Sequence, residues 1–452
     1  MEKNLTTGSV FKNTVLFSLP YLLSYFLQTM YGMADLFIIG QFEGVASTTA
    51  VSVGSQVMHM LTVMIVGLAM GTTVSIGQAV GAGDRKQAAQ DIGNTVTLFM
   101  AVSVTLTAAL LLLVRPIVSA MSTPAEAVNG TAAYLTVCFI GIPFITAYNI
   151  ISSIFRGLGD SKSPMYFVAV ACAANIGLDY LFMGAMSLGP TGAALGTTLS
   201  QAISVITSLA VILKRKSIML EKADFKPRRT VMGKILKIGV PITLQDGFIQ
   251  ISFIVITIIA NRRGLADAAA VGIVEKIMSF LFLVPSSMLS TVSALGAQNI
   301  GAGKPERAIK TLHCALALTA SVSFIIAVGV QFIAEPIIAL FTDASRSDGA
   351  EVIRLGGQYL RGYVWDSFFA GFQFSYSGYF CAMGRSGFSF LHNALSIMCI
   401  RIPGAYIASE LFADTLFPMG LASAMGSLFS DIMCLVIFAR LTRKAKNGLK
   451  VK

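Results

Sequence analysis

Charged residues are scarce in this sequence: Asp, Glu, Lys and Arg make up 12% of 452 residues, against 55% hydrophobic. A water-soluble domain carries about 25% charged residues because its surface must be wetted. A soluble globular fold is therefore excluded. Histidine is rarer still. His59, His313 and His392 stand alone, with no HExxH pair and no Ser–His arrangement, so an intramembrane enzyme is the weakest reading. The six cysteines (Cys138, Cys172, Cys314, Cys381, Cys399 and Cys434) are scattered singly through apolar runs. Without CxxC pairs or metal spacing they read as small buried hydrophobes rather than a disulfide framework. A Walker motif is also missing. Gly301-Ala-Gly-Lys304 approaches one, but Ala302 and Pro305 break the pattern, so ATP is not an expected partner.

What the sequence has in abundance is long apolar runs. A spanning helix needs about 20 mostly apolar residues, and on that rule the chain holds about twelve spans. They run near 14–39, 48–75, 92–114, 132–155, 164–186, 191–213, 234–260, 270–295, 308–333, 357–382, 389–411 and 417–440. The first is too long for the core of a cleavable signal and reads as a span.

The sequence also repeats itself. Gly77-Gln-Ala-Val-Gly-Ala-Gly-Asp-Arg-Lys-Gln-Ala88 returns as Ala297-Gln-Asn-Ile-Gly-Ala-Gly-Lys-Pro-Glu-Arg-Ala308; Pro20 matches Pro241, Arg115-Pro-Ile matches Glu335-Pro-Ile, and Tyr134-Leu matches Tyr359-Leu. The expected fold is an all-α membrane protein with twelve transmembrane helices in two pseudo-twofold-related six-helix lobes. Residues 1–213 form the first lobe, 214–233 a basic connector, and 234–452 the second lobe with a basic tail. Repeats read in the same direction are expected to meet across an axis along the membrane normal, with a site between them.

The net charge of +11 sits mostly in loops. From Lys214 to Lys237, nine basic residues, Lys216 among them, face only Glu221 and Asp224, and the tail adds Arg440, Arg443, Lys444, Lys446, Lys450 and Lys452. Opposite loops are acidic, with Glu335, Asp343, Asp348 and Glu351, then Glu410 and Asp414. Basic loops stay in the cytoplasm, which predicts a multi-pass protein of the cytoplasmic membrane with both termini inside. The charge sets topology, with contact to anionic membrane lipid as a second use, and nucleic acid is not an expected partner.

Ionisable residues at bilayer depth cost about 2.5–3.5 kcal/mol each on insertion scales and are functional candidates by default. Asp35 lies late in the first span, fifteen residues after the helix breaker Pro20. Asn175 and Asp179 sit four apart on the fifth span, hence on one helical face, able to share a proton, a water or an ion. Thr197 and Thr198 on the sixth span complete that set. In the second repeat the partner of Asp35 is Ile256; Gln245-Asp246, Glu275-Lys276 and Asp366 are its polar candidates. Asp246 and Asp366 are candidates for a second cation or a substrate contact, and Arg401 for neutralising one of these acids. Glu275 and Lys276, on different faces, are expected to pair with other helices. The aromatic set Tyr363, Trp365, Phe368, Phe369, Phe372, Phe374 and Tyr376 is expected to surround Asp366, since aromatic faces attract organic cations. Prolines at 20, 143, 241, 285 and 403 permit bending, and Gly67-Leu-Ala-Met-Gly71 reads as a close helix contact.

Taken together, the twelve spans in two repeats, Pro20 and Asp35, the paired Gly-Ala-Gly turns, Arg156-Gly-Leu-Gly-Asp-Ser161 and Asn175/Asp179 resemble the bacterial multidrug and toxic compound extrusion (MATE) transporters over the whole length. The resemblance implies an antiporter that expels organic, mostly cationic lipophilic compounds against H⁺ or Na⁺, without another cofactor and as a monomer. It implies that Asp35, Asn175, Asp179 and Thr197 bind the coupling ion, with Asp35 and Asp179 holding Na⁺ if sodium drives export, and that Pro20 is a hinge. Substrate contacts are expected at Tyr31, Gln245, Asp246, Asp366, Phe369 and Tyr376. Sodium-coupled members place their second-lobe acids about one turn later, where this chain has Ile249, Gln250 and Ala370. The shift keeps the helical face but changes the depth. The alternative is a flippase for a lipid-linked or polysaccharide precursor; it calls for a basic cavity, whereas the intramembrane residues here are mainly acids.

Overall fold

The computed structural model describes residues 4–215, 220–342 and 349–449. Lys216, Asp343, Asp348, Lys450 and Lys452, counted above in the charge pattern, lie outside the described residues. Among the described residues every regular element is helical. In chain order these are α1 (Val10–Phe42), α2 (Val45–Gly81), α3 (Arg85–Ala120), α4 (Val128–Ile140), α5 (Ile142–Gly157), α6 (Lys162–Asp179) and α7 (Gly189–Arg215). Then follow α8 (Arg229–Arg263), α9 (Leu265–Leu281), α10 (Leu283–Gly301), α11 (Pro305–Ala339), α12 (Gly349–Ala382), α13 (Gly387–Ser396), α14 (Ile402–Leu411) and α15 (Phe417–Leu449). Among the described residues ten rods are long and apolar enough to cross a membrane, and α4 with α5, bent by 49°, makes an eleventh. The remaining predicted span is α12, whose 34 residues suffice in length but carry Glu351, Arg354, Arg361 and Asp366. Leu112 is 84% exposed and Phe332 79%. Side chains of that kind suit lipid, where only helices satisfy their own backbone groups.

Two compact units emerge: Met1–Thr243 with Ala297–Pro305, and Leu244–Gly296 with Glu306–Lys452. In the first, Ile38, Ile39, Val51, Leu135, Phe139 and Ile142 belong to one apolar core. In the second, Ile256, Val271, Val274, Tyr359, Leu360 and Tyr363 belong to another.

The prolines act differently from one another. Pro143 follows the bend at Gly141, Pro285 lies in the first turn of α10, and Pro403 follows a π-helical turn, Ile397–Arg401. A proline near a helix start forfeits only a donor that has no intrahelical acceptor. Pro20 and Pro241 instead lie inside unbroken helices. A second π-helical turn, Tyr180–Ala185, follows directly on Asp179.

The duplicated Gly-Ala-Gly segments end α2 and α10 in the same way. Gly83 (φ 75°) and Gly303 (φ 69°) take the left-handed conformation, and the next N–H reaches back: Asp84 to the Ala79 carbonyl at 3.0 Å, Lys304 to the Asn299 carbonyl at 2.8 Å. This is a Schellman-type helix end rather than a phosphate loop. The first glycine of each segment serves contact. A Cβ on Gly81 would strike the Gln298 carbonyl, and one on Gly301 the Gln78 carbonyl. Gly71 meets the Ile235 carbonyl in the same manner, which realises the close approach read from Gly67-x-x-x-Gly71.

The basic connector is pinned to α3. Asn94 Nδ2 donates to the Asp224 carbonyl (3.0 Å), and its Oδ1 accepts from the Arg228 N–H (2.7 Å).

Because Gly81 faces backbone rather than a flexible side chain, Gly81→Ala is expected to cost about 1–3 kcal/mol as overpacking. Gly233→Ala, with nothing within 4 Å, is the control. Thermal unfolding of the detergent-solubilised protein measures both; a midpoint unchanged in Gly81→Ala would remove the close-contact account.

Candidate functional site

The first unit gathers its acids from three rods. Asp35, on the last turns of α1, is 3% exposed, and Asp179, the last residue of α6, is fully buried. Thr197 of α7 donates to Asp35 Oδ2 at 3.2 Å. Asp179 and Asn175 stand beside the Asp35 carboxyl and act on it. Gly196 is what admits Asp179, because a Cβ there would collide with Asp179 Oδ1. The α6 helix stops at Asp179 and continues as the π-helical turn, a form often found at functional positions.

The oxygens of this cluster lack donors. Asp35 Oδ1, both oxygens of Asp179, both amide atoms of Asn175 and Thr198 Oγ1 are buried without a hydrogen-bond partner. Two carboxylates cannot bond one another, since each only accepts. Their contact becomes favourable when a proton or a small cation lies between them. Tyr31, Tyr134, Cys138 and Cys172 stand close enough to feel the charge of Asp35. The arrangement suits reversible capture of one positive charge.

The second unit treats its acid differently. Asp366 of α12 is fully buried and pairs with Arg401, Nη2 to Oδ2 at 3.3 Å. Ser427 of α15 donates to the other Asp366 oxygen, and Gln373 Nε2 donates to Ser427 at 3.0 Å. Arg401 also donates to the Tyr363 hydroxyl at 2.8 Å and lies 5.1 Å from the Phe253 ring centroid. The π-helical turn that ends at Arg401 carries this guanidinium into the bundle. Glu275 accepts from Thr257 and adds to the field on Arg401. Lys276 is exposed.

The sequence-predicted residues fall into separate groups. Asp35, Asn175, Asp179, Thr197 and Tyr31 come together in the first unit. Asp366 meets Arg401, as expected for a neutralising cation. Asp246 lies near Cys381, and Gln245 is buried with its Oε1 unpartnered. The aromatic set divides. Tyr363 contacts Arg401 beside Asp366, but Trp365, Phe368, Phe369 and Phe372 form a ladder, with Phe324 of α11 packed on Trp365 and Phe368. Their spacing places them on one helical face, whose member nearest to Asp366 is Phe369, about 60° around the helix from it. Tyr376 packs on Phe380 and Phe438.

Sequence reasoning missed Asp431, 7% exposed with Oδ1 unpartnered, one turn after Ser427 and within range of Asp366. Its position inside the last span was the available signal. Gly196, Tyr134 and Cys138 gave no signal in the sequence.

Breaking a buried ion pair strands its partner. Asp366→Leu and Arg401→Met are each expected to cost about 3–5 kcal/mol, while the double variant approaches the wild type. Thermal unfolding in detergent measures the cycle, and losses that simply add in the double variant would refute the pairing.

Comparison with known proteins accords with this architecture. The MatE family profile matches residues 20–181 and 241–407, one stretch in each repeat. The chain is 29% identical over 426 residues to the probable multidrug resistance protein YpnP of Bacillus subtilis strain 168, covering 94% of each chain. It is 24% identical over 441 residues to the multidrug export protein MepA of Staphylococcus aureus strain NCTC 8325, covering 96% of this chain and 95% of that one. A crystallised MATE protein in complex with MaL6 shares the fold with a TM-score of 0.91 at 21% identity, over 98% of this chain and 99% of that one. Two profile matches that together span most of the sequence, on a fold shared nearly end to end, place this multi-pass membrane protein in the MatE family of transporters.

Proposed function

We propose that the protein is a secondary antiporter that exports organic, mostly cationic lipophilic compounds in exchange for H⁺ or Na⁺ by alternating access. The observation that carries this reading is the facing pair Asp35 and Asp179, both buried and short of donors. A pair of acids in apolar surroundings has a strong demand for one positive charge and little tolerance for none. Uptake of the ion relieves the repulsion between α1 and α6; its loss restores it. Asn175 Oδ1 and Thr197 Oγ1 add oxygen ligands of the kind Na⁺ accepts, and a proton needs only the two carboxyls.

Pro20 is the proposed hinge that turns this into motion. It denies α1 the N–H for the Leu16 carbonyl, and Ser24 Oγ bonds the Pro20 carbonyl at 2.8 Å. Substrate contacts are proposed at Tyr31 in the first unit and at Gln245, Asp246, Asp366, Phe369 and Tyr376 in the second. The names of YpnP and MepA support drugs as substrates. The proposed setting is the cytoplasmic membrane, with both termini inside, the protein acting as a monomer without ATP.

Ethidium efflux from proteoliposomes, driven by an imposed H⁺ or Na⁺ gradient, tests the reading. Wild type is expected to respond to one gradient, Asp35→Asn to lose at least tenfold, and Thr197→Ala to lose a few-fold because one hydrogen bond to the carboxyl is gone. Full-rate efflux by Asp35→Asn would remove that residue from the mechanism. Silence of the wild type under both gradients would overturn cation export.

A further inference from the structure

The segment beginning at Arg156 has no part in the site above. Arg156 lies at the end of α5 and is 7% exposed, a buried cation of the first unit. It lies over the Tyr21 ring at 4.5 Å from the centroid. Tyr25 of α1 and Tyr148 of α5 are the other groups that act on its charge. Among the described residues no carboxylate pairs with Arg156 and no acceptor bonds it, and its Nε is buried without a partner.

The surroundings follow helix periodicity. Tyr148, Ser152 and Arg156 repeat every four residues along one face of α5, and Tyr21, Tyr25 and Gln28 follow the i, i+4, i+7 pattern on α1. Tyr148 approaches both Ser152 and Gln28, yet neither the Tyr148 nor the Ser152 hydroxyl makes a well-formed bond. One cation, several hydroxyl and amide donors and three flat rings thus converge with no carboxylate paired to the cation among the described residues. A guanidinium presents paired donors that match a carboxylate or phosphate. The aromatic faces compensate a buried cation only in part. Tyr21, under the guanidinium, lies fourteen residues before Asp35 on the same helix, about 21 Å away at 1.5 Å per residue, while Tyr148 reaches toward Tyr31 beside the acid pair.

We propose that Arg156, with Tyr21, Tyr25 and Tyr148, forms a binding site for an organic anion, in which a carboxylate or phosphate takes the guanidinium and a flat ring stacks on tyrosine. This goes beyond cation export and does not depend on it, because the site is read by equilibrium binding.

The test titrates purified full-length protein in neutral detergent with flavin mononucleotide, following flavin fluorescence, beside riboflavin, which differs by lacking the phosphate. Wild type is expected to bind flavin mononucleotide saturably and at least tenfold more tightly than riboflavin. Arg156→Gln is expected to abolish that preference, Arg156→Lys to retain part of it, and Tyr148→Phe to weaken both ligands only slightly. Size-exclusion profiles and unfolding midpoints establish that the variants are folded, and the lysine variant keeps the charge should glutamine prove unstable. Phosphatidylglycerol, added against phosphatidylcholine as control, displaces the flavin if a lipid headgroup is the natural occupant and leaves it bound if a soluble anion is; either result keeps the site. Equal binding of the two flavins, unchanged binding by Arg156→Gln, or no saturable binding by wild type overturns it.

Discussion

A charge within an apolar slab has to be compensated, and the polar features of this protein differ in what does the compensating. Asp366 is answered inside the protein by Arg401 and Ser427. Asp91 is answered by Ser75 and Gln87, at 2.8 and 2.7 Å. Asp35 and Asp179 receive one hydroxyl between them and otherwise face each other. Among the described residues Arg156 receives aromatic faces and no carboxylate. Desolvation without pairing is the costly condition, so the last two places are where an exchangeable partner has most to contribute.

The duplicated sequence shows how one plan yields both kinds. Helix-end chemistry is kept in both copies, because Gly83 and Gly303 need a left-handed backbone and Gly81 and Gly301 need room for a facing carbonyl. Neither requirement tolerates a side chain. The position of Asp35 is not kept. Its counterpart Ile256 is 1% exposed within the apolar core of the second unit, so the same depth that carries an acid in one copy carries packing in the other. Each copy also has a π-helical turn in its fifth rod, following Asp179 in one and ending at Arg401 in the other. The extra residue re-aims the helix beside the charged group.

Much of the fold was legible because its signals are local. Long apolar runs can satisfy their backbone only as helices; eleven of the twelve predicted runs fall within observed rods, the fourth across the bend at Gly141, and the fifth, 164–186, overruns its rod by one residue. The rods extend several residues further, since polar residues such as Arg85 and Arg229 continue helices past the apolar stretch. The split of the aromatic set on α12 was legible in principle, because the i, i+3, i+4, i+7 spacing of Trp365, Phe368, Phe369 and Phe372 assigns them one face.

The sequence by itself determined the membrane class, the twelve spans, the duplication and the short list of buried acids, because hydropathy and scarcity of charge act residue by residue. Only the tertiary structure decided which of those acids stand alone. That Asp179 reaches Asp35 depends on a missing Cβ at Gly196, that Asp366 is neutralised depends on Arg401 on a rod distant in sequence, and that Arg156 meets tyrosine depends on its long side chain reaching from α5 to the Tyr21 ring of α1. Those are pairings across the bundle, and a side chain's charge carries no information about which neighbour folding will bring to it.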